Sequence, residues 1–351
     1  MPREVFDLLL GEIEPAIMKQ DTNMRKSICP KLRLMSTLRF LTSGCDFETL
    51  SEIARISPNT LSQIIPDVCQ AIFRILSPEY IVLPRSSDEW KEVAKDFEDL
   101  WDYPFCCGAL DGKHCRTKCP PRSGSVFFNY KGFYSFVILV LCDAKANILY
   151  ADIGQEGASN DSGIYQRSAL YKLLQNGDLN MPDTEQGGLE ISYHYVGDDC
   201  FSHSPTLFKP FPHDTNDKIK QMFNYRHSRA RRIVECCFGI LSHRFQVVFG
   251  PIKQQYENAV TSLKACVVLH NFLNKHVGIS ASENQAGEEA ADEDDANMPN
   301  MVNVPQDPDE NSQRLRLAKY FCTPEGEISK FDQYHRANRT SRPEGEQDIG
   351  Q

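Results

Sequence analysis

Over the first hundred residues, apolar positions recur at spacings of three and four, in FDLLL at 6–10 and LRLMSTLRFL at 32–41. That is the period of helices with one apolar face. Gly44 interrupts the pattern, and Asp46 supplies an N-cap for a helix running to about Arg55. Ser57-Pro58 starts another, with serine at the cap and proline at the first helical position. The two together, LSEIARISPNTLSQII, have the form of a helix-turn-helix. Contact with DNA and packing within a bundle produce that pattern equally well. A further helix covers Trp90 to Trp101, so residues 1–103 are expected to form a helical domain.

After Tyr103 the periodicity changes. PFCCGAL at 104–110 is an apolar run of strand length that stops at Asp111-Gly112. SFVILVLC at 135–142, a turn at 143–147 and ILYADIG at 148–154 predict a hairpin. A helix follows from about Gly163 to Gln175, then a strand, SYHYVG at 192–197, ending at Asp198. The stretch NYRHSRARRIVECCFGILSHRF at 224–245 predicts a helix, and Ala259–His276 another. Strand, hairpin, helix, strand and helix make an α/β unit over 104–276, one central sheet covered by helices. Residues 277–313 lack apolar periodicity and are expected to be a disordered acidic linker. In the tail, 314–351, Leu315 to Phe321 predict a short helical return. There are no internal repeats.

Composition changes the picture in two places. The net charge of −10 suggests an acidic protein, but residues 277–313 alone hold ten acidic residues and no Lys or Arg. The rest is balanced, with basic charge gathered between Lys218 and Lys253, and a local patch is what a phosphate backbone meets. The longest apolar run, FVILVLC at 136–142, is far short of the ~18–20 residues a membrane span needs, so no membrane partner is expected. The start is acidic from Glu4 and has no signal-peptide pattern, which predicts an intracellular protein with its 13 cysteines reduced.

The candidate chemistry lies in four carboxylates. On the helix at 224–245, Ile233, Cys236, Cys237, Ile240 and Leu241 form an apolar side, and Arg231 and Arg232 share a face with Glu235. Alone, that is an ordinary ion pair. Asp111 and Asp198, however, stand at predicted strand ends, and Asp161 opens a helix. Each aspartate by itself is a turn or cap residue. Converging, they make a hard oxygen site for Mg²⁺ or Mn²⁺. Two such ions about 4 Å apart activate a water and stabilise the leaving oxygen of a phosphodiester, while the neighbouring arginines hold phosphates. Zinc is disfavoured: Cys106, Cys107, Cys115, Cys119 and His114 give one loose pair of ligand-like spacing. The aromatic-basic run from Phe127 to Tyr134 either stacks on unpaired bases or fills space beside the sheet.

GALDGKH at 108–114, FFNYKGFYS at 127–135, SNDSGIY at 159–165, VGDDCF at 196–201, FNYRHSRARRIVECCFGIL at 223–241 and VVLHNFL at 267–273 occur in one order. In that order they resemble the DDE superfamily endonuclease domain of PIF/Harbinger transposases and the nucleases derived from them. The resemblance implies a ribonuclease-H-like mixed sheet flanked by helices and divalent-metal-dependent DNA cleavage. It implies catalytic roles for Asp111, Asp198 and Glu235, with Asp161 a further metal ligand or the alternative second aspartate. Lys113, His114, Lys131, Arg226, Arg229, Arg231 and Arg232 are the candidate DNA contacts. Expected partners are DNA and a Myb-like DNA-binding protein, with a second copy of the chain a candidate; the expected location is the nucleus, with the cytoplasm as alternative. A non-cleaving DNA- or chromatin-binding descendant is the competing reading, and an RNA-directed nuclease on the same fold another.

Overall fold

In the computed structural model, which describes residues 1–23, 26–182, 184, 189–212, 217–248, 250–296 and 312–326, the N-terminal region is helical. Its helices are α1 (Arg3–Ile17), α2 (Pro30–Ser43), α3 (Phe47–Ala54), α4 (Pro58–Tyr80) and α5 (Ser87–Trp101). The caps are those the residue types predict. Asp46 accepts the Thr49 N–H at 2.8 Å to start α3, and Ser57 accepts from Thr60 to start α4.

The strands are β1 (Cys106–Arg116), β2 (Ser135–Cys142), β3 (Ile148–Glu156), β4 (His194–Val196) and β5 (Leu207–Phe208). They lie in the order β3-β2-β1-β4-β5, with β1, β2 and β3 antiparallel and β4 and β5 parallel to β1. This is the α/β mixed sheet expected. β2 is buried along its whole length because both faces are covered. Phe136, Ile138, Val140 and Cys142 pack with the long helix α8 (Lys218–Arg244) and with α9 (Tyr256–His276). Val137, Leu139 and Leu141 pack on the other side with Trp90 of α5, Ile164 of α6 (Asp161–Arg167) and Leu170 of α7 (Ala169–Asn176).

Three expectations are corrected. β1 does not stop at Asp111-Gly112. Its pairing with β2 continues to Arg116 opposite Ser135, which puts Asp111 inside the strand, opposite Val140. The fully buried β2 offers ladder partners for every residue of that stretch, so two turn-forming residues do not end it. The single helix expected at 163–175 is two, divided at Ser168, whose hydroxyl accepts the Tyr171 N–H at 3.1 Å and caps α7. Residues 277–313, expected to be disordered, contain the helix α10 (Ala281–Ala296) packed on α8. The contact is made by small residues: a Cβ on Gly239 would stand 2.7 Å from the Gly287 Cα. Arg244 Nε adds an ion pair to Glu283 at 2.8 Å. Scarcity of large side chains, which reads as disorder in a composition, is what lets these two backbones approach. Residues 297–311 lie outside the described ones.

The expected helical return is α11 (Gln313–Tyr320), with Leu317, Ala318 and Phe321 buried. The motif VVLHNFL proves to be structural. Asn271 on α9 accepts from Ile148 N–H at 2.9 Å and donates to the carbonyls of Ile148 (2.8 Å) and Tyr80 (2.6 Å), tying α9 to β3 and α4. Asn271→Leu would leave these buried backbone groups unsatisfied and is expected to cost about 2–4 kcal/mol. A lower urea midpoint with an unchanged m-value checks this.

Candidate active site

β1 carries the first residues of the site. Alternation along the strand puts Asp111 and Lys113 on the side of α8 and Gly112 and His114 on the other. The contacts agree: Lys113 Nζ lies 5.5 Å from the Phe238 ring centre on α8, and a Cβ on Gly112 would fall 2.3 Å from Asp161 Oδ1. Glycine at 112 is therefore what allows the Asp161 carboxylate to come over β1. Asp161 is the first residue of α6, placed there by Asn160, whose side chain accepts the Gly163 N–H at 2.9 Å. Asp198 follows β4 by two residues, and its Oδ1 accepts the Cys200 N–H at 3.1 Å.

These three aspartates feel one another. Burial, then the charges of Asp198 and Asp161, hold the Asp111 carboxyl well above the ordinary range. Burial, then Asp198, pushes Asp161 up to about 7. Burial, with Asp199 adding to it, raises Asp198. Opposing cations are Arg231, which pulls down Asp111 and Asp198, and Lys131, which pulls down Asp161. Asp161 Oδ1 is buried and makes no hydrogen bond. Such a set carries more negative charge than its surroundings neutralise, and its oxygen donors suit a hard divalent cation. Among the described residues, no group of three or more His, Cys, Asp or Glu is arranged so that it could hold a metal ion.

Glu235 stands differently. It is buried in α8 and its Oε1 meets Arg231 Nη1 at 2.6 Å, a buried ion pair rather than the exposed one an isolated i, i+4 pair suggests. Its charge nevertheless reaches Asp111.

The candidate DNA contacts separate. Lys131 is exposed at the rim; His114 is half-buried, with Nδ1 3.0 Å from Ser135 Oγ. Burial, then Lys131, pushes its imidazolium down to about 4, so it is neutral at physiological pH. Four arginines face inward or are engaged. Arg226 is buried, donating to the carbonyls of Asp102 and Gly326 and stacking 3.8 Å from the Phe321 ring centre. Arg229 pairs with Asp102 at 2.7 Å, Arg231 with Glu235, and Arg232 donates to the Glu288 carbonyl at 3.2 Å. Arg226 is thus corrected from a DNA contact to a structural residue, because the C-terminal return covers it. Asn224 and His227 of the same motif are structural too, bonding the backbone of Phe211 and Phe208. One neighbour was not foreseen: the Cys200 thiol is pushed up by burial and by Asp198, Asp161 and Asp111, so it lies among all three. The signal was its place two residues after Asp198.

Residues 110–271 match the sequence profile described as DDE superfamily endonuclease, and Asp111, Asp161, Asp198 and Glu235 all lie within that match. Among relatives, the chain is 24% identical over 278 residues to the Homo sapiens protein named "Putative nuclease HARBI1", covering 78% of this chain and 76% of that one. It is 25% identical over 282 residues to "Protein ALP1-like" of Arabidopsis thaliana, covering 77% and 68%. No solved structure matches the chain. The resemblance read from the motifs is thereby borne out.

The raised carboxyls make a stability prediction. Asp161 binds its proton more tightly folded (about 7) than at its ordinary value of 3.8, so its contribution to stability falls as pH rises from about 4 to about 7. In EDTA, Asp161→Asn is expected to melt higher than wild type at pH 8 and to show no such gain at pH 4. Thermal melts across that range check it.

Proposed function

We propose that the chain is a divalent-cation-dependent nuclease that hydrolyses phosphodiester bonds in DNA. The observation that carries this reading is the place of Asp111, Asp161 and Asp198, three buried carboxyls each pushed up, within the stretch that matches the endonuclease profile. Asp111, Asp161 and Asp198 would hold Mg²⁺ or Mn²⁺, with Glu235 beside them. A bound divalent ion there would supply an activated water and charge stabilisation for the leaving oxygen. The protein's own groups prepare the place. Arg231 pairs with Glu235 and opposes the rise of the Asp111 and Asp198 carboxyls. Neutral His114 offers a hydrogen bond without repelling a cation. Exposed Lys131 draws a phosphate toward Asp161. A DNA substrate would be met in the nucleus, and a Myb-like partner is the proposed means of delivery.

One observation favours a second reading. Glu235 is engaged by Arg231 at 2.6 Å, an arrangement that also suits a descendant which binds DNA or chromatin without cutting. Supercoiled and short duplex DNA incubated with Mg²⁺, Mn²⁺ or EDTA separates the two. Metal-dependent nicking is expected, lowered at least about 100-fold by Asp111→Asn and by Glu235→Gln. A Mn²⁺-induced rise in melting temperature should vanish in Asp111→Asn. Binding without nicking, on every substrate and with a Myb-like partner supplied, would move the assignment to the second reading. Nicking that survives both substitutions would place the site elsewhere.

A further inference from the structure

The loop between β1 and β2 carries exposed aromatic rings on a rigid mount. Tyr130 is 76% exposed and Phe128 45%, values unusual for rings held in fixed positions. They are held by Asn129, buried between them. Its side chain donates to Ser135 Oγ at 2.9 Å and accepts the Phe133 N–H at 3.2 Å, and its backbone N–H reaches the Phe133 carbonyl. Gly132 closes the turn with φ +82°, a conformation that favours glycine. Ser135 Oγ also meets His114 Nδ1, so the mount is continuous with the strand that carries Asp111.

The loop stands at the carboxylate site. The Tyr130 ring lies edge-on to His114 with centroids 5.7 Å apart, and Lys131 Nζ is 5.6 Å from the Tyr130 centroid. Lys131 in turn acts on Asp161. Residues 116–134 contain Arg116, Lys118, Arg122 and Lys131, all exposed, and no Asp or Glu. Charge of one sign selects a polyanion. A planar ring left 76% exposed selects a base that is out of its stack, since a closed duplex hides base faces.

We propose that Tyr130 is a stacking platform for an unpaired nucleotide of the DNA held at the carboxylate site, with Lys131 on the adjoining phosphate. This rests on the nuclease reading and narrows its substrate to DNA with a melted or frayed segment at the scissile position. Stacking on a protein ring contributes enough that losing it weakens binding by roughly 5- to 150-fold.

The test uses the full chain in EDTA, so that binding is read without cleavage, on a duplex and on the same duplex with a four-nucleotide bubble containing 2-aminopurine. Wild type is expected to prefer the bubble and to quench the 2-aminopurine. Tyr130→Ala should lose about tenfold on the bubble, lose the quenching and leave duplex affinity unchanged, while Tyr130→Phe retains wild-type behaviour. An equal melting temperature for both variants shows that the exposed position leaves folding intact. Bubble binding by Tyr130→Ala equal to wild type, or an equal loss on both DNAs, would overturn the platform. Nicking by wild type in Mg²⁺ then decides whether only the platform fails or the nuclease reading with it.

Discussion

A single guanidinium set among carboxylates governs this molecule. Arg231 pairs with Glu235 at 2.6 Å inside α8 and pulls down the carboxyls of Asp111 and Asp198. Buried charge of this kind survives only with a partner in place, and removing one member costs roughly 3–5 kcal/mol. The position of α8 therefore has to be tightly determined, and it is. Asn224, Arg226 and His227 bond backbone atoms of Phe211, Asp102, Gly326 and Phe208. Arg231 nonetheless leaves the aspartates raised, chiefly by their burial, so the site holds an excess of buried carboxyls over cations. Stability alone would favour apolar residues there, and that excess is what marks the site as functional.

Charge elsewhere is sorted by region rather than averaged. The acidic excess lies in the sequence of residues 277–313, of which Glu283 meets Arg244 of α8. The loop before β2 is basic and free of carboxylates. A net charge of −10 therefore says little about what meets the site.

The strands, the N-caps at Asp46 and Ser57 and the long helices were legible because each depends on local spacing and capping chemistry. The four carboxylates were legible as an ordered set, though Asp111 was placed at a strand end when it lies within the strand, a matter decided by pairing with the distant β2. The arginines of α8 misled for a related reason. A basic run reads as surface, yet Arg226 is covered by Phe321, ninety-five residues on, and no local pattern records that. Cys200 and Gly112 were missed because their part comes from what stands beside them. The packing of α10 rests on two glycines, which a search for apolar faces passes over.

The docking of α11 bears on where this protein can be cut. The match to the endonuclease family ends at residue 271, but Phe321 and the Gly326 carbonyl close over Arg226, and Arg314 donates to the carbonyls of Lys209 and Pro210. A fragment ending with the match would open a buried cation to water and uncover the aromatic side chains around Tyr103 and Phe223. The folded unit is larger than the stretch the profile matches, and its last piece is supplied by residues beyond 271.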